Sequence, residues 1–152
     1  MAAANITRKV AKSLKNVTAE LIMTDHVVTL REEHTLSEVT HLMLRERISG
    51  VPVVDEKGRV KGLLSLPIIF RKLLEISSEK DRNIAQRIVD YKYMPISKVM
   101  ARRLVTIKKD TTILEMIHFL NKRDINTFMV THRGKLLGVV SKHDILNAVF
   151  AL

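Results

Sequence analysis

The stretch Gly138-Val139-Val140-Ser141-Lys142-His143-Asp144-Ile145-Leu146 reads as a short β-branched strand that runs directly into a helix. Ser141 stands where the N-cap of that helix is expected, and Asp144 follows three residues later. A hydroxyl and a carboxylate at this spacing lie beside the unpaired amides of a helix N-terminus. Two interpretations follow. The pair is a capping box that only satisfies the helix amides, or it holds the vicinal hydroxyls of a sugar and leaves amides for a phosphate.

The same pattern occurs twice in the chain, which favours the second interpretation. A shift of 77 residues places Met23 on Met100 and Glu38 on Glu115. Past the hairpin the shift becomes 76 and places Ser65 on Ser141. Each copy is predicted to contain a strand, a helix, a strand, a hairpin turn, a strand and a helix. The chain is therefore predicted to be an internal duplication with an α/β fold.

The element boundaries follow from turn and capping signals. In the first copy we predict strands over 27–30, 51–54 and 60–64, and helices over 36–47 and 65–76, the first of them starting at Thr35 with Glu38. Residues 1–16 carry four basic side chains and no acid. They fit an amphipathic helix that docks on the domain, which we predict, or a frayed basic arm or transit-like peptide. Residues 77–93 fit a connecting helix or ordered loop, or a solvated linker.

Composition restricts the class of protein. The 152 residues are 46% apolar, enough for a packed core. The chain has no cysteine, which excludes disulfides and thiolate metal sites and fits a reducing cytoplasm. No apolar run is long enough to span a membrane, so no membrane partner is expected. The formal charge of +10 favours anionic partners such as nucleotides, nucleic acid or an acidic protein.

The repeated pattern resembles a tandem pair of CBS domains (the cystathionine β-synthase motif, or Bateman module) of the stand-alone type. In the first copy the resemblance rests on residues 48–55 and 62–65, and in the second on residues 125–130 and 138–144. We divide the chain into a basic segment 1–16, a first repeat 17–76, a connecting segment 77–93 and a second repeat 94–152. The resemblance implies an α/β fold with two repeats packed about a pseudo-twofold axis. It also implies a homodimer, clefts for adenosine-containing ligands and regulation of an unknown partner protein.

Carried onto this sequence, the resemblance implies a complete nucleotide site only in the second copy. Ser141 and Asp144 would hold the ribose, and Lys142 and His143 would reach a phosphate. The base would be flanked by Val105, Thr106 and Ile107 on one side and by Asn126, Thr127, Phe128 and Met129 on the other. Further phosphate contacts are assigned by charge alone to Arg102, Arg103 and Arg123. The expected ligand is AMP, ADP or ATP in preference to S-adenosylmethionine. In the first copy Ile68 replaces the aspartate and Pro67 precedes it, which predicts a weak or empty site.

Other classes of function receive less support from the sequence. None of the six histidines pairs with another at i,i+4, so no metal site is predicted. No nucleophile and base stand in a catalytic pattern, so we expect no enzyme activity. A basic nucleic-acid-binding module remains an alternative, although no recognised reading element accompanies the charge. A second alternative is a ligand-free dimerisation scaffold, in which Ser141 and Asp144 would only cap the helix.

Overall fold

The computed structural model describes residues 1–78, 80, 83–122 and 125–151. The helices, in chain order, are α1 (Ala2–Asn16), α2 (Ala19–Ile22), α3 (Leu36–Glu46), α4 (Leu66–Ser78), α5 (Ile84–Lys92), α6 (Ile113–Lys122) and α7 (Lys142–Phe150), with a 3-10 turn at Ile96–Lys98. The strands are β1 (Gly50–Val54), β2 (Val60–Ser65), β3 (Thr106–Ile107), β4 (Thr127–His132) and β5 (Lys135–Ser141). The mixed α/β class and the two repeats are confirmed.

The equivalent helices α3 and α6 begin with the same capping arrangement. The Thr35 hydroxyl accepts a hydrogen bond from the Glu38 amide, and the Glu38 carboxylate accepts one from the Thr35 amide at 2.8 Å. Thr112 and Glu115 repeat both bonds, the second at 2.7 Å. Hydrogen bonds from the threonine backbone and side chain hold the pKa of each glutamate below its usual value. The helix start predicted at Thr35 is confirmed.

The predicted strand over 27–30 is wrong except at its last residue. Leu30 forms a single parallel bridge with Val53, in which its amide donates to the Pro52 carbonyl at 2.9 Å. In the second repeat Ile107 and Val130 form the equivalent pair, and the ladder continues to Thr106 and Met129. Pro52 stands where the second repeat has Met129 and has no N–H to donate. The first repeat therefore lacks the second residue pair of this parallel ladder.

The two compact units of the structure do not coincide with the two sequence repeats, because each unit includes a segment of the other repeat. The first unit comprises Val28–Leu104, and the second comprises Met1–Val27 together with Val105–Leu152. Within the second unit, Thr24 pairs with Val139 of β5 through hydrogen bonds of 2.9 and 3.0 Å. Within the first unit, Ala101 pairs with Leu63 of β2 in the same way. The first residues of each sequence repeat, up to Val27 in the first and Leu104 in the second, thus belong to the unit of the other repeat.

Glycine is required where each exchanged segment crosses a strand. A Cβ on Gly138 would lie 2.7 Å from the Thr24 carbonyl oxygen and 2.8 Å from the Met23 sulfur. A Cβ on Gly62 would lie 2.5 Å from the Met100 sulfur. Gly62 aligns with Gly138 and Met23 with Met100 in the repeat because the same glycine–methionine contact occurs in both units.

Each unit has its own apolar core. The core of the first unit lies between α3, α4 and the β1–β2 hairpin and includes Leu36, Met43, Val53 and Leu64. Helix α5 also packs on α3 and α4, where the buried Tyr91 hydroxyl donates to the Ile69 carbonyl at 3.2 Å. A connecting helix is thus present over Ile84–Lys92, while residues 79, 81 and 82 of the connecting segment lie outside the described residues.

The core of the second unit lies between α6, α7 and the three-stranded sheet. Its buried members include Ile113, Met116, Phe128 and Val140. Helix α1 contacts α6, and Leu14 packs against this core. The docked helix predicted for residues 1–16 is therefore present.

Candidate functional site

The three-stranded sheet of the second unit brings several predicted site residues onto one face. The strand order is β3-β4-β5, with β3 parallel and β5 antiparallel to β4. Thr106 on β3 pairs with Met129 on β4, and Thr127 on β4 pairs with Ser141 on β5. Since alternate residues of a strand share a face and paired residues lie side by side, these four side chains lie on the same face.

The alternate residues of these strands face the helices. Phe128 is fully buried, and its ring lies 6.4 Å from that of Phe119 on α6. Ile107 is buried in the same core, and Val105 packs partly against it. Of the residues predicted to flank a base, Phe128 and Ile107 can therefore contribute only backbone groups. Thr106 and Thr127 have accessible side chains on the opposite face, where the Met129 side chain is only 1% exposed.

Ser141 and Asp144 form a reciprocal capping box at the start of α7. The Asp144 Oδ2 atom accepts hydrogen bonds from the Ser141 amide at 2.7 Å and the Ser141 hydroxyl at 2.8 Å. The Ser141 oxygen in turn accepts one from the Asp144 amide at 3.2 Å. Among the residues that the structure describes, none donates to the other carboxylate oxygen, Oδ1. The half-buried carboxylate is thus fixed in place with one oxygen available to a hydroxyl.

The backbone amides at this helix start are mostly occupied. The Lys142 amide donates to the Asn126 carbonyl at 3.1 Å, which ties the start of α7 to the residue before β4. The Ser141 and Asp144 amides are used by the capping box. Of the four amides from Ser141 to Asp144, that of His143 alone has no acceptor within the described residues. Of the amides expected to remain for a phosphate, that of His143 is therefore the one left here within the described residues, because the Asn126 carbonyl and the Ser141 hydroxyl accept from the amides on either side of it.

The basic residues predicted to contact phosphate have different surroundings. Lys142 is half-buried and His143 is exposed, both in the first turn of α7. Arg102 belongs to the first unit, where its guanidinium donates to the Glu32 carboxylate at 3.0 Å and to a backbone carbonyl. Arg103 is exposed in that same unit. Arg123 lies outside the described residues.

The equivalent position in the first unit lacks the carboxylate. Leu66 donates its amide to the Ser49 carbonyl at 2.9 Å, as Lys142 does to Asn126. The next residues are Pro67, which has no amide, and Ile68, which packs partly against the core. The backbone and the serine are thus duplicated, while within the described residues the carboxylate at this place is found in the second unit alone.

The first residues of the first repeat also border this region, which the sequence reasoning missed. Thr24 extends the sheet beside Val139, two residues before Ser141, and α2 contacts α7. The signal in the sequence was the coincidence of Met23 with Met100, which marks equivalent segments but does not say which strand each one joins.

The part of the chain that the structure describes contains neither a cluster of metal ligands nor a membrane-spanning helix. There, no three His, Asp or Glu side chains come together as ligands for a metal ion. None of the helices there combines the length and apolar character needed to cross a membrane.

Two curated relatives contain a region similar to most of this chain. The magnesium transporter MgtE of Thermus thermophilus is 29% identical over 136 residues, which cover 86% of this chain and 26% of the transporter. The SNF1-related protein kinase regulatory subunit gamma-1 of Arabidopsis thaliana is 25% identical over 146 residues, covering 89% of this chain and 34% of the subunit. The chain therefore spans about a third or less of these relatives.

Solved structures with the same fold match over nearly the whole chain. The CBS domain of a CBS domain-containing membrane protein from Sphaerobacter thermophilus has a TM-score of 0.77 at 24% identity and covers 97% of this chain and 96% of its own. CBSX2 in complex with AMP has a TM-score of 0.71 at 17% identity, covering 90% and 98%. A CBS domain pair in complex with 5-methylthioadenosine and S-adenosyl-L-methionine has the same TM-score at 18% identity and the same coverage. The CBS domain family model matches residues 17–75 and 96–151, and the chain belongs to this family.

Proposed function

We propose that this chain is a regulatory CBS pair, without catalytic activity of its own, that binds an adenine nucleotide in its second repeat. AMP, ADP and ATP are the proposed ligands, with S-adenosylmethionine ranked after them because of the positive charge of the chain. The observation that carries the proposal is the fixed Asp144 carboxylate, whose Oδ1 atom accepts no hydrogen bond within the described residues. The adenosine ligands of two solved CBS pairs support the ligand class.

The proposed mechanism divides the work between three groups of this unit. Asp144 Oδ1 accepts hydrogen bonds from the ribose hydroxyls, and Ser141 keeps the carboxylate in position. The side chains of Thr106 and Thr127 lie against the base, while Met129 between them is buried and contributes backbone groups. Lys142 supplies a positive charge for a phosphate. A ligand that joins α7 to β3 in this way stabilises the conformations in which both are correctly placed, and this population shift is the regulatory signal.

The test is calorimetric titration of the full chain with AMP, ADP, ATP and S-adenosylmethionine at physiological salt. We expect saturable binding of one adenine nucleotide near one per chain. Asp144→Ala removes a charged acceptor worth about 1.5–3 kcal/mol, so the Kd should rise about 10- to 150-fold. Glu115→Ala is the matched control, since it breaks the capping box of α6 in the same unit and should leave the Kd unchanged.

The outcomes of this titration separate the alternatives. Equal binding by Asp144→Ala and the unaltered chain would contradict the proposed site. Absence of binding for every adenosine ligand would leave the capping box as a purely structural feature and favour the ligand-free scaffold. Binding of an oligonucleotide alone, weakening steeply with salt, would favour the nucleic-acid alternative.

We further propose that the chain forms a homodimer through α4 and α7. Phe70 and Leu74 on α4 are 58% and 68% exposed, and Leu146 and Phe150 at the equivalent positions of α7 are 54% and 84% exposed. Large exposed apolar side chains at the equivalent place of each repeat indicate that each of these two helix surfaces is covered in an assembly. Light scattering across a concentration series tests this. Leu74→Lys with Phe150→Lys should yield a monomer, and an unaltered mass would contradict the interface.

A further inference from the structure

Helix α1 carries a one-sided basic surface that the nucleotide site does not use. Its cations are all exposed, and no acidic residue precedes Glu20. At 3.6 residues per turn these cations lie within an arc of about 120° around the helix and along about 10 Å of its axis. These residues are Arg8, Lys9, Lys12 and Lys15.

The opposite side of α1 is apolar and incompletely covered. Ala3, Ile6, Val10 and Leu14 recur at spacings of three and four residues and form one stripe. Leu14 packs against the core of the second unit and Val10 is half-buried, but Ile6 is 61% exposed. No residue of α1 is buried. The helix is thus held to its unit by one end of its stripe.

The chain is anchored firmly just after α1. Ala19 is fully buried, and the Val17 carbonyl accepts a hydrogen bond from the Ile113 amide at 2.9 Å. Val17 has an extended backbone, with φ of −78° and ψ of 121°. Asn16 is therefore the last residue of a segment that can leave the unit without disturbing the buried contacts that follow.

We propose that α1 binds the surface of an anionic lipid bilayer. A helix with a Lys/Arg-rich face, an opposite apolar face and low overall hydrophobicity lies in the bilayer interface, with its apolar side among the acyl chains and its cations at the headgroups. A nucleic acid would use the cations but leave the apolar stripe without a role. A second copy of α1 would meet like charges. The expectation of no membrane partner rested on the lack of a spanning segment, which does not bear on a helix lying at the surface.

Vesicle sedimentation of the full chain tests this. Vesicles of phosphatidylcholine alone are compared with vesicles that also contain phosphatidylglycerol. We expect binding only to the anionic vesicles, weakening with added salt. Replacing the four α1 cations by glutamine, a good helix former, should lower the partition coefficient at least tenfold, because each cation at an anionic surface contributes about fivefold. A circular-dichroism spectrum verifies the helix content of the variant.

The matched control removes the same charge elsewhere. Glutamine at four exposed hairpin positions, Lys57, Lys61, Arg133 and Lys135, lowers the net charge equally and should leave vesicle binding within twofold of the unaltered chain. Because the chain has no cysteine, an environment-sensitive dye on Ile6→Cys reports that position alone. Its emission should shift to the blue on anionic vesicles, and the emission of a dye on Glu56→Cys should not.

Three results would overturn the proposal. Absence of binding to anionic vesicles is the first. Equal loss in the two glutamine variants is the second, because it would mean that net charge alone is responsible. The third is binding of a duplex oligonucleotide through α1 with no vesicle binding, which would assign the basic face to nucleic acid.

Discussion

Replacing Gly138 by alanine tests the exchanged segment, which is the least expected feature of the fold. The new Cβ would stand 2.7 Å from the Thr24 carbonyl oxygen, closer than a carbon and an oxygen normally approach. That oxygen belongs to backbone that is held by two hydrogen bonds to Val139 and cannot move aside without breaking them. Overpacking of this kind costs about 1–3 kcal/mol. For a chain of this size we expect the melting temperature to fall by about 2–12 °C.

Gly62→Ala is the comparison that isolates the backbone effect. Its new Cβ would meet the flexible Met100 side chain first, and the Ala101 carbonyl only at 3.0 Å. A double-mutant cycle with Met100→Ala should therefore show a favourable coupling of at least about 0.5 kcal/mol. The corresponding cycle of Gly138→Ala with Met23→Ala should show a smaller coupling, because the Thr24 oxygen remains in the way.

Gly58→Ala controls for the loss of glycine freedom alone. Its Cβ would meet no atom within 4 Å, but the residue has φ of +76°, so the cost is conformational and about 1 kcal/mol. Chemical denaturation of the three glycine variants, the two methionine variants and the two double variants, with thermal melts as a second measurement, provides the data. If Gly138→Ala unfolds at the same denaturant concentration as the unaltered chain, residues 23–24 do not lie against β5 and the assignment of the compact units is wrong.

Three further predictions concern stability and pH. Tyr91→Phe should lower the unfolding free energy by about 1 kcal/mol through loss of a buried hydrogen bond. Burial raises the pKa of Tyr91 to about 12, so its contribution to the unfolding free energy is complete below pH 10 and is lost as the pH rises towards 12. Tyrosinate absorbance of the Tyr93→Phe variant, in which Tyr91 is the sole tyrosine, measures this pKa. Arg47→Gly should raise the unfolding free energy by about 1 kcal/mol in denaturation, because Arg47 ends α3 with φ of 53°. Because the fold lowers the pKa of Glu38 and Glu115, the two carboxylates stabilise it at pH values above their ordinary pKa, and this stabilisation is lost as the pH falls through the lowered values. Acid titration of the double glutamine variant should therefore show a smaller loss of unfolding free energy over that pH range.

The parts of the fold that depend on local signals could be predicted from the sequence. The capping residues Thr35 and Glu38 mark a helix start wherever they occur, and the two hairpins depend on a few turn residues. The bridge between Thr24 and Val139 joins residues more than a hundred positions apart, and no local pattern encodes such a pairing. The missing rung at Pro52 was also readable in principle, since proline has no amide to donate, but only once the pairing partner is known.

The same limit applies to the candidate site. The Ser141–Asp144 spacing predicted a capping box and a sugar site as alternatives, and the structure contains the capping box. The two are compatible because the box uses Oδ2 of Asp144 and leaves Oδ1. The sequence could not show that Lys142 donates its amide to Asn126, since that bond requires β4 and β5 to be paired.

The two proposals concern the same compact unit, and thermodynamics relates them. The chain runs from the end of α1 through the extended Val17 into α2, and α2 contacts α7, the helix that begins at the proposed nucleotide site. If departure of α1 alters α2, nucleotide and bilayer must change each other's affinity by the same factor, because linkage is reciprocal. Vesicle titrations with and without saturating nucleotide, and nucleotide titrations with and without vesicles, should therefore give equal ratios. If neither ligand changes the affinity for the other, Val17 and Ala19 hold α2 in place whether or not α1 is docked. The nucleotide site and the basic face of α1 then act independently.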